Sequence, residues 1–335
     1  MARRRLSQRQ LERIRKLQEQ RRSRAARRAS REHESGPLGA EQPGLVLANF
    51  GPHLIVEDER GGLWRCAVRQ NLGTVVCGDR VIWQPAAAGG GVVVAVEPRR
   101  SLLARGGYGG RPKPIAANLD QVLVVLAPMP VPTLSLIDRY LVAIERLGVN
   151  ALLILNKSDL LDAKSATLLD ELLGVYERIG YRLVRTSTRS AAGLAPLRRA
   201  LAGHTSILVG QSGVGKSSLI KALLPQREIR TQAISAATGL GTHATTTTTL
   251  YHLPDGGDLI DSPGVRSFEL EDLDQTALDR GFREFAPYLG QCRFSNCGHR
   301  VEPGCALREA VARGELDERR LESYLQLKDG LKPEY

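Results

Sequence analysis

Residues 210–217 read GQSGVGKS. The stretch follows the apolar run SILV and opens the helix-like SSLIKALL, the context a phosphate-cradling loop requires. Backbone amides at the start of a helix gather anionic phosphate, and such loops belong at the carboxyl edge of a mostly parallel sheet. This single feature therefore commits the middle of the chain to an α/β fold. Gly210, Gln211, Ser212, Gly213, Val214, Gly215 and Ser218 are expected to line the nucleotide. Lys216 is expected to reach the β- and γ-phosphates, and Ser217 to bind Mg²⁺.

The base is specified elsewhere. In ILNKSD the Asp159 carboxylate can accept from guanine N1–H and N2–H₂ together, which adenine cannot offer. A site built for those bonds rejects the analogue lacking them. Asn156 and Lys157 complete that loop, and Thr186 and Ser187 of TST (186–188) form a second base-side loop after the next strand. DSPG at 261–264 supplies Asp261 for the Mg²⁺ shell and Gly264 for an amide to the γ-phosphate. In GLGTHATTTTT, His243 is the candidate to orient or deprotonate the attacking water, since Val265 stands where a water-positioning Gln would be needed. Thr245 is the first choice for the second Mg²⁺ hydroxyl and Thr246 the next. The order along the chain is base loop, second base loop, phosphate loop, switch I, switch II. That is the order of a circularly permuted GTPase domain, a rearrangement that keeps the site while moving the chain ends.

Flanking the α/β region are two different textures. Residues 44–98 hold five β-type runs, GLVLANF, HLIVEDE, LWRCAVR, VVCGDRVIW and GVVVAVEP, punctuated by glycine turns. Five strands in so short a span predict a small barrel of the OB-fold kind. Near the C-terminus, Cys292-x₄-Cys297-x-His299-x₅-Cys305 offers three thiolates and an imidazole at the spacing of a structural zinc site, followed by arginine-rich helical sequence. Cys66 and Cys77 fall in barrel strands and read as core thiols. The expected fold class is thus multi-domain α/β. A basic tail (1–37) precedes an N-terminal β-barrel OB-fold (38–105), a circularly permuted P-loop GTPase domain (106–274) and a C-terminal α-helical zinc-binding domain (275–335).

Charge adds one further expectation. Residues 1–31 carry 13 Lys or Arg against Glu12 and Glu19, which accounts for the whole net charge of +11. A basic tail on a neutral body seeks polyanions, and nucleic acid is the partner expected on charge. No apolar h-region follows the N-terminal arginines and no run reads as a spanning helix, so the expected location is the cytoplasm.

Taken together, the permuted motif order, GDRVIW at 78–83, KPIAANLDQ at 113–121, LYHLPDGGDLIDSPGVR at 250–266 and the Cys-Cys-His-Cys cluster resemble the RsgA (YjeQ) family over about residues 40–330. The resemblance implies a GTPase, stimulated by the small ribosomal subunit, that acts in late small-subunit maturation. It also implies an OB-fold on rRNA and a zinc domain that contacts the subunit. The chain is further expected to hold one structural Zn²⁺, to bind Mg²⁺ with GTP, to act as a monomer and to touch no membrane. The family's switch I usually reads G-x-H-T-T-T. Here it reads GTHATTT, with Ala244 in place of the first Thr while His243 and Thr245 match.

Overall fold

The computed structural model describes residues 38–87, 89–105, 112–226, 247–262 and 275–331. The chain divides into two compact units. The first is built on a closed barrel of β1 (Gln42–Asn49), β2 (Leu54–Glu57), β3 (Leu63–Val68), β4 (Arg80–Pro85) and β5 (Gly91–Val96). Pairing runs β1-β2-β3-β5-β4 and back to β1, antiparallel except for β3 with β5. Closure removes the exposed edges an open sheet of this size would carry. The interior is the apolar half of each alternating strand: Val46, Leu54, Val56, Cys66, Val81, Trp83 and Val93.

One strand differs from its sequence pattern. The run 75–83 is apolar enough to read as a single strand, yet β4 begins only at Arg80. Asp79, fully buried, turns the chain by accepting the Val76 N–H at 2.7 Å, and Gly78 takes the left-handed φ of +87° that the turn needs. Arg99 neutralises that carboxylate at 2.7 Å and also donates to the Thr74 carbonyl at 2.6 Å. The GDR element is therefore a braced corner of the barrel.

The second unit holds a five-stranded parallel sheet in the order β10-β9-β8-β11-β13. Its strands are β8 (Gln121–Leu126), β9 (Asn150–Leu155), β10 (Arg182–Arg185), β11 (Thr205–Val209) and β13 (Asp258–Asp261). The short strands β6 (Leu102–Arg105) and β7 (Lys113–Ala117) precede it in the chain, and β12 (Thr249–His252) precedes β13. Helices α1 (Leu134–Leu147), α2 (Ala163–Ile179) and α3 (Ala191–Leu201) make the crossovers, and α4 (Lys216–Leu223) follows β11. From β8 the chain winds outward through β9 and β10, then returns to place β11 on the other side of β8. The crevice between the carboxyl ends of β8 and β11 is thus a topological switch point, where open α/β sheets bind ligands.

Helix α1 shows why this unit extends past the sheet. Thr133 caps it through Leu136 N–H, and Gly148 ends it at φ +67°. Its buried set, Ile137, Asp138, Tyr140, Leu141, Val142, Ala143 and Ile144, is wider than one apolar stripe. The surplus is covered by the C-terminal helices α5 (Gln275–Gly281) and α7 (Glu318–Asp329), with α6 (Ala306–Ala312) between them in the chain. Val142 belongs to their core with Leu278, Phe282, Phe285, Leu307, Leu321, Tyr324 and Leu327. At the same contact Arg320, 1% exposed, forms an ion pair with the fully buried Asp138 and a second with Glu284 at 2.6 Å, while Tyr176 donates to Asp138 at 2.5 Å. Among the described residues no helix is long and apolar enough to cross a membrane.

Candidate functional site

The phosphate loop leaves β11 at the switch point and enters α4. Gly210 has φ +141°, and a Cβ there would lie 2.4 Å from the Val125 carbonyl oxygen of β8. Gly215, at φ +95°, caps α4, and a Cβ there would lie 2.4 Å from Asn156 Nδ2. Any side chain at either position would fill space the neighbouring strand or loop already occupies. The first-turn amides of α4 have no intrahelical acceptor, so they form an anion site. Lys216 Nζ donates to the Gly210 and Gln211 carbonyls at 2.6 Å each, which holds its ammonium over the loop. Ser217 and Ser218 are exposed at the helix start, as are Ser212 and Gly213, whereas Val214 is buried.

One loop separated in sequence joins this one directly, a second joins that loop, and a third segment ends on the same edge of the sheet. Asn156, 2% exposed at the end of β9, donates from Nδ2 to the Val214 carbonyl at 2.9 Å. Lys157 takes a left-handed φ of +59° and donates to the Gly213 carbonyl at 2.6 Å. Asp159 accepts from Ser187 Oγ at 2.5 Å, and that hydrogen bond chiefly holds its carboxyl below the usual carboxylate range. Thr186 acts through its backbone: its carbonyl accepts both the amide and the hydroxyl of Ser158, while its own hydroxyl is buried. Asp261 ends β13, which runs parallel to β11 in the register Ile207↔Ile260, so it stands on the same carboxyl edge as the phosphate loop. His243, Thr245, Thr246 and Gly264 lie outside the described residues. Arg189 escapes the sequence reading: its Nε approaches Asp159 at 3.6 Å, and its position just after TST is the signal that could have found it.

The second cluster has the geometry to hold a metal ion. The ligand atoms of Cys292, Cys297, His299 and Cys305 all lie within 4.8 Å of one another, the one such group among the described residues. His299 Nδ1 lies 3.5 Å from Cys292 Sγ and 3.4 Å from Cys305 Sγ. Zinc bonds of their usual lengths at a tetrahedral angle put S and N about 3.6 Å apart, so the donor set fits a metal of that size. Burial keeps His299 below the usual imidazole range, which favours the neutral, ligating form, and pushes the Cys297 thiol up to about 11. None of the five cysteines, all of them among the described residues, is in a disulfide, and Cys66 and Cys77 are buried in the barrel unit.

Glu302, between His299 and Cys305, was not singled out in the sequence. Its carboxylate accepts from the amides of Gly298 and Arg300 at 2.8 Å each and of Val301 at 3.0 Å. Its own amide and these neighbours hold its pKa down to about 2. An acid inside a ligand loop, H-x-x-E, is the signal that was available.

A switch-point phosphate loop joined to an NKSD base loop that precedes it in the chain defines a circularly permuted P-loop GTPase. The RsgA GTPase family model matches residues 96–271, and the chain belongs to that family. A relative from Azotobacter vinelandii, named small ribosomal subunit biogenesis GTPase RsgA, is 50% identical over 343 residues, covering the whole of both chains. One of the same name from Pseudomonas aeruginosa is 50% identical over 327 residues, with 97% of this chain and 96% of that one covered. Among solved structures, YjeQ from Thermotoga maritima superposes with a TM-score of 0.71 at 34% identity, covering 86% of this chain and 97% of that one. YloQ, described as a circularly permuted GTPase, gives 0.69 at 28% identity over 90% and 99%.

Proposed function

We propose that this GTPase binds the small ribosomal subunit and its rRNA in the cytoplasm and hydrolyses GTP to GDP and phosphate during late small-subunit maturation. The observation that carries the reading is the joining of Asn156 and Lys157 to the phosphate loop, because it brings the loop that holds Asp159, the guanine acceptor in this reading, beside the phosphate loop despite the permuted order. The name carried by relatives half identical over the full chain supplies the ribosomal partner. In this reading Asn156, Lys157, Asp159, Thr186 and Ser187 hold the base and residues 210–218 the phosphates. Ser217, Thr245 and Asp261 hold Mg²⁺, Gly264 faces the γ-phosphate, and His243 directs the water. Cys292, Cys297, His299 and Cys305 hold one structural Zn²⁺. The working boundaries stay at 37/38, 105/106 and 274/275, the protein acts as a monomer, and the basic tail adds rRNA contact.

The test is the GTP hydrolysis rate of the protein alone, with small subunits and with large subunits at matched ionic strength. Stimulation by the small subunit only is the expected result. Equal rates in all three arms overturn the ribosomal part of the reading. His243→Ala should abolish stimulated hydrolysis with GTP affinity retained, and undiminished turnover removes His243 from the mechanism.

A further inference from the structure

The geometry points to Glu302 as the positioning residue that holds the metal loop in its ligating shape before any metal arrives. The inference rests on the zinc reading of the cysteine cluster and extends it to a residue that is not a ligand. Three of the carboxylate's acceptor contacts come from the amides of Gly298, Arg300 and Val301. Those donors bracket His299, which sits at φ +64°, a left-handed conformation that a residue with a Cβ adopts only when its surroundings impose it.

The restraint works through charge and reach. Hydrogen bonds to an ionised acceptor are about twice as strong as neutral ones, and several amides converging on one carboxylate close the turn around His299. Gly298 leaves room for this, since a Cβ there would lie 2.7 Å from Glu302 Oε1. The other end of the loop is pinned separately: Arg293 N–H donates to the Gly304 carbonyl at 2.9 Å, bringing the flanks of Cys292 and Cys305 together. Glu302 thereby removes the conformational search that His299 would otherwise make during metal capture, which tightens binding without a bond to the metal.

The experiment compares the full-length protein with Glu302→Gln, which keeps the shape and removes the charge. Zn²⁺ affinity is read by competition with a chromogenic chelator, and amide exchange at Arg300 and Val301 is read in metal-free protein. Guanine-nucleotide binding serves as the control for folding. The expected result is a ~10- to 100-fold weaker Zn²⁺ affinity, the range for loss of an outer partner of a metal site, together with lost protection of the two amides. Unchanged affinity and unchanged protection overturn the proposal. If the parent protein itself takes up no Zn²⁺, the zinc reading fails, and the exchange measurement alone decides whether Glu302 orders the loop. If Glu302→Gln fails the folding control, the same readouts are taken on Glu302→Asp. That variant keeps the charge but shortens the reach, and parental affinity and protection in it overturn the proposal.

Discussion

Asn156 Nδ2 donates to the carbonyl of Val214 at 2.9 Å across 58 residues of sequence. This bond ties the base loop to the phosphate loop in a chain that presents the two in permuted order. Asn156→Ala leaves a buried carbonyl without its donor, at a cost of about 1–3 kcal/mol. Denaturant unfolding should register that loss, and titration with a fluorescent GTP analogue should show weakened binding. Gly215→Ala should do the same to nucleotide binding, since its Cβ would collide with the same Asn156 amide.

Base choice follows from Asp159. With a carboxylate the site accepts from guanine N1–H and N2–H₂. Asp159→Asn turns one acceptor into a donor, which matches the C2 carbonyl of xanthine. Competition binding should show GTP affinity falling by ~10²-fold or more, as for a site built to hydrogen-bond a ligand that then loses the matching acceptor, with xanthosine triphosphate affinity rising. Retained preference for GTP would move the specificity determinant away from Asp159.

The two motif loops and the metal cluster were legible because each is a short run of residues whose chemistry depends on local spacing. Long-range partners were not. Asp138 in LSLIDRYLVAIERL carries no local mark of its role, yet it is fully buried against Arg320, 182 residues later. Nothing in either segment announces the other. Within the run VVCGDRVIW the Gly78-Asp79 turn was visible in the sequence, but not what holds it: the buried Asp79 side chain accepting the Val76 N–H, so that β4 begins at Arg80. Ser187 rather than Thr186 touches Asp159, a distinction set by which hydroxyl faces the base loop and not by composition.

The Asp138–Arg320 pair makes a stability prediction with an internal control. Removing one partner of a buried ion pair leaves an uncompensated charge and costs about 3–5 kcal/mol. Arg320→Met should therefore lower the unfolding midpoint of the C-terminal helices strongly, and Asp138→Leu alone should as well. The double variant should recover only the part of the loss that comes from the uncompensated Asp138–Arg320 charge, because Glu284 still loses its Arg320 partner. Additive losses in the double variant would show that the contact acts through packing and not through charge.

Thiol reactivity separates the two classes of cysteine. Burial pushes the Cys66 thiol from 9.0 up to about 12, so at pH 8 it holds almost no thiolate and should resist iodoacetamide in the folded protein. Cys77, 1% exposed and donating to the Leu47 carbonyl, should resist as well. Cys292 and Cys297 are half-buried. They should be shielded in the zinc-loaded protein and alkylated once a chelator is added, as mass spectrometry of the labelled peptides would reveal. The pH dependence has a definite sign, because the folded state binds the Cys66 proton more tightly than the unfolded chain. That contribution to stability is complete below pH 9.0 and is lost as the pH rises toward about 12. Cys66→Ala should flatten the fall in stability across this alkaline window, and an unchanged slope would assign the fall to other groups.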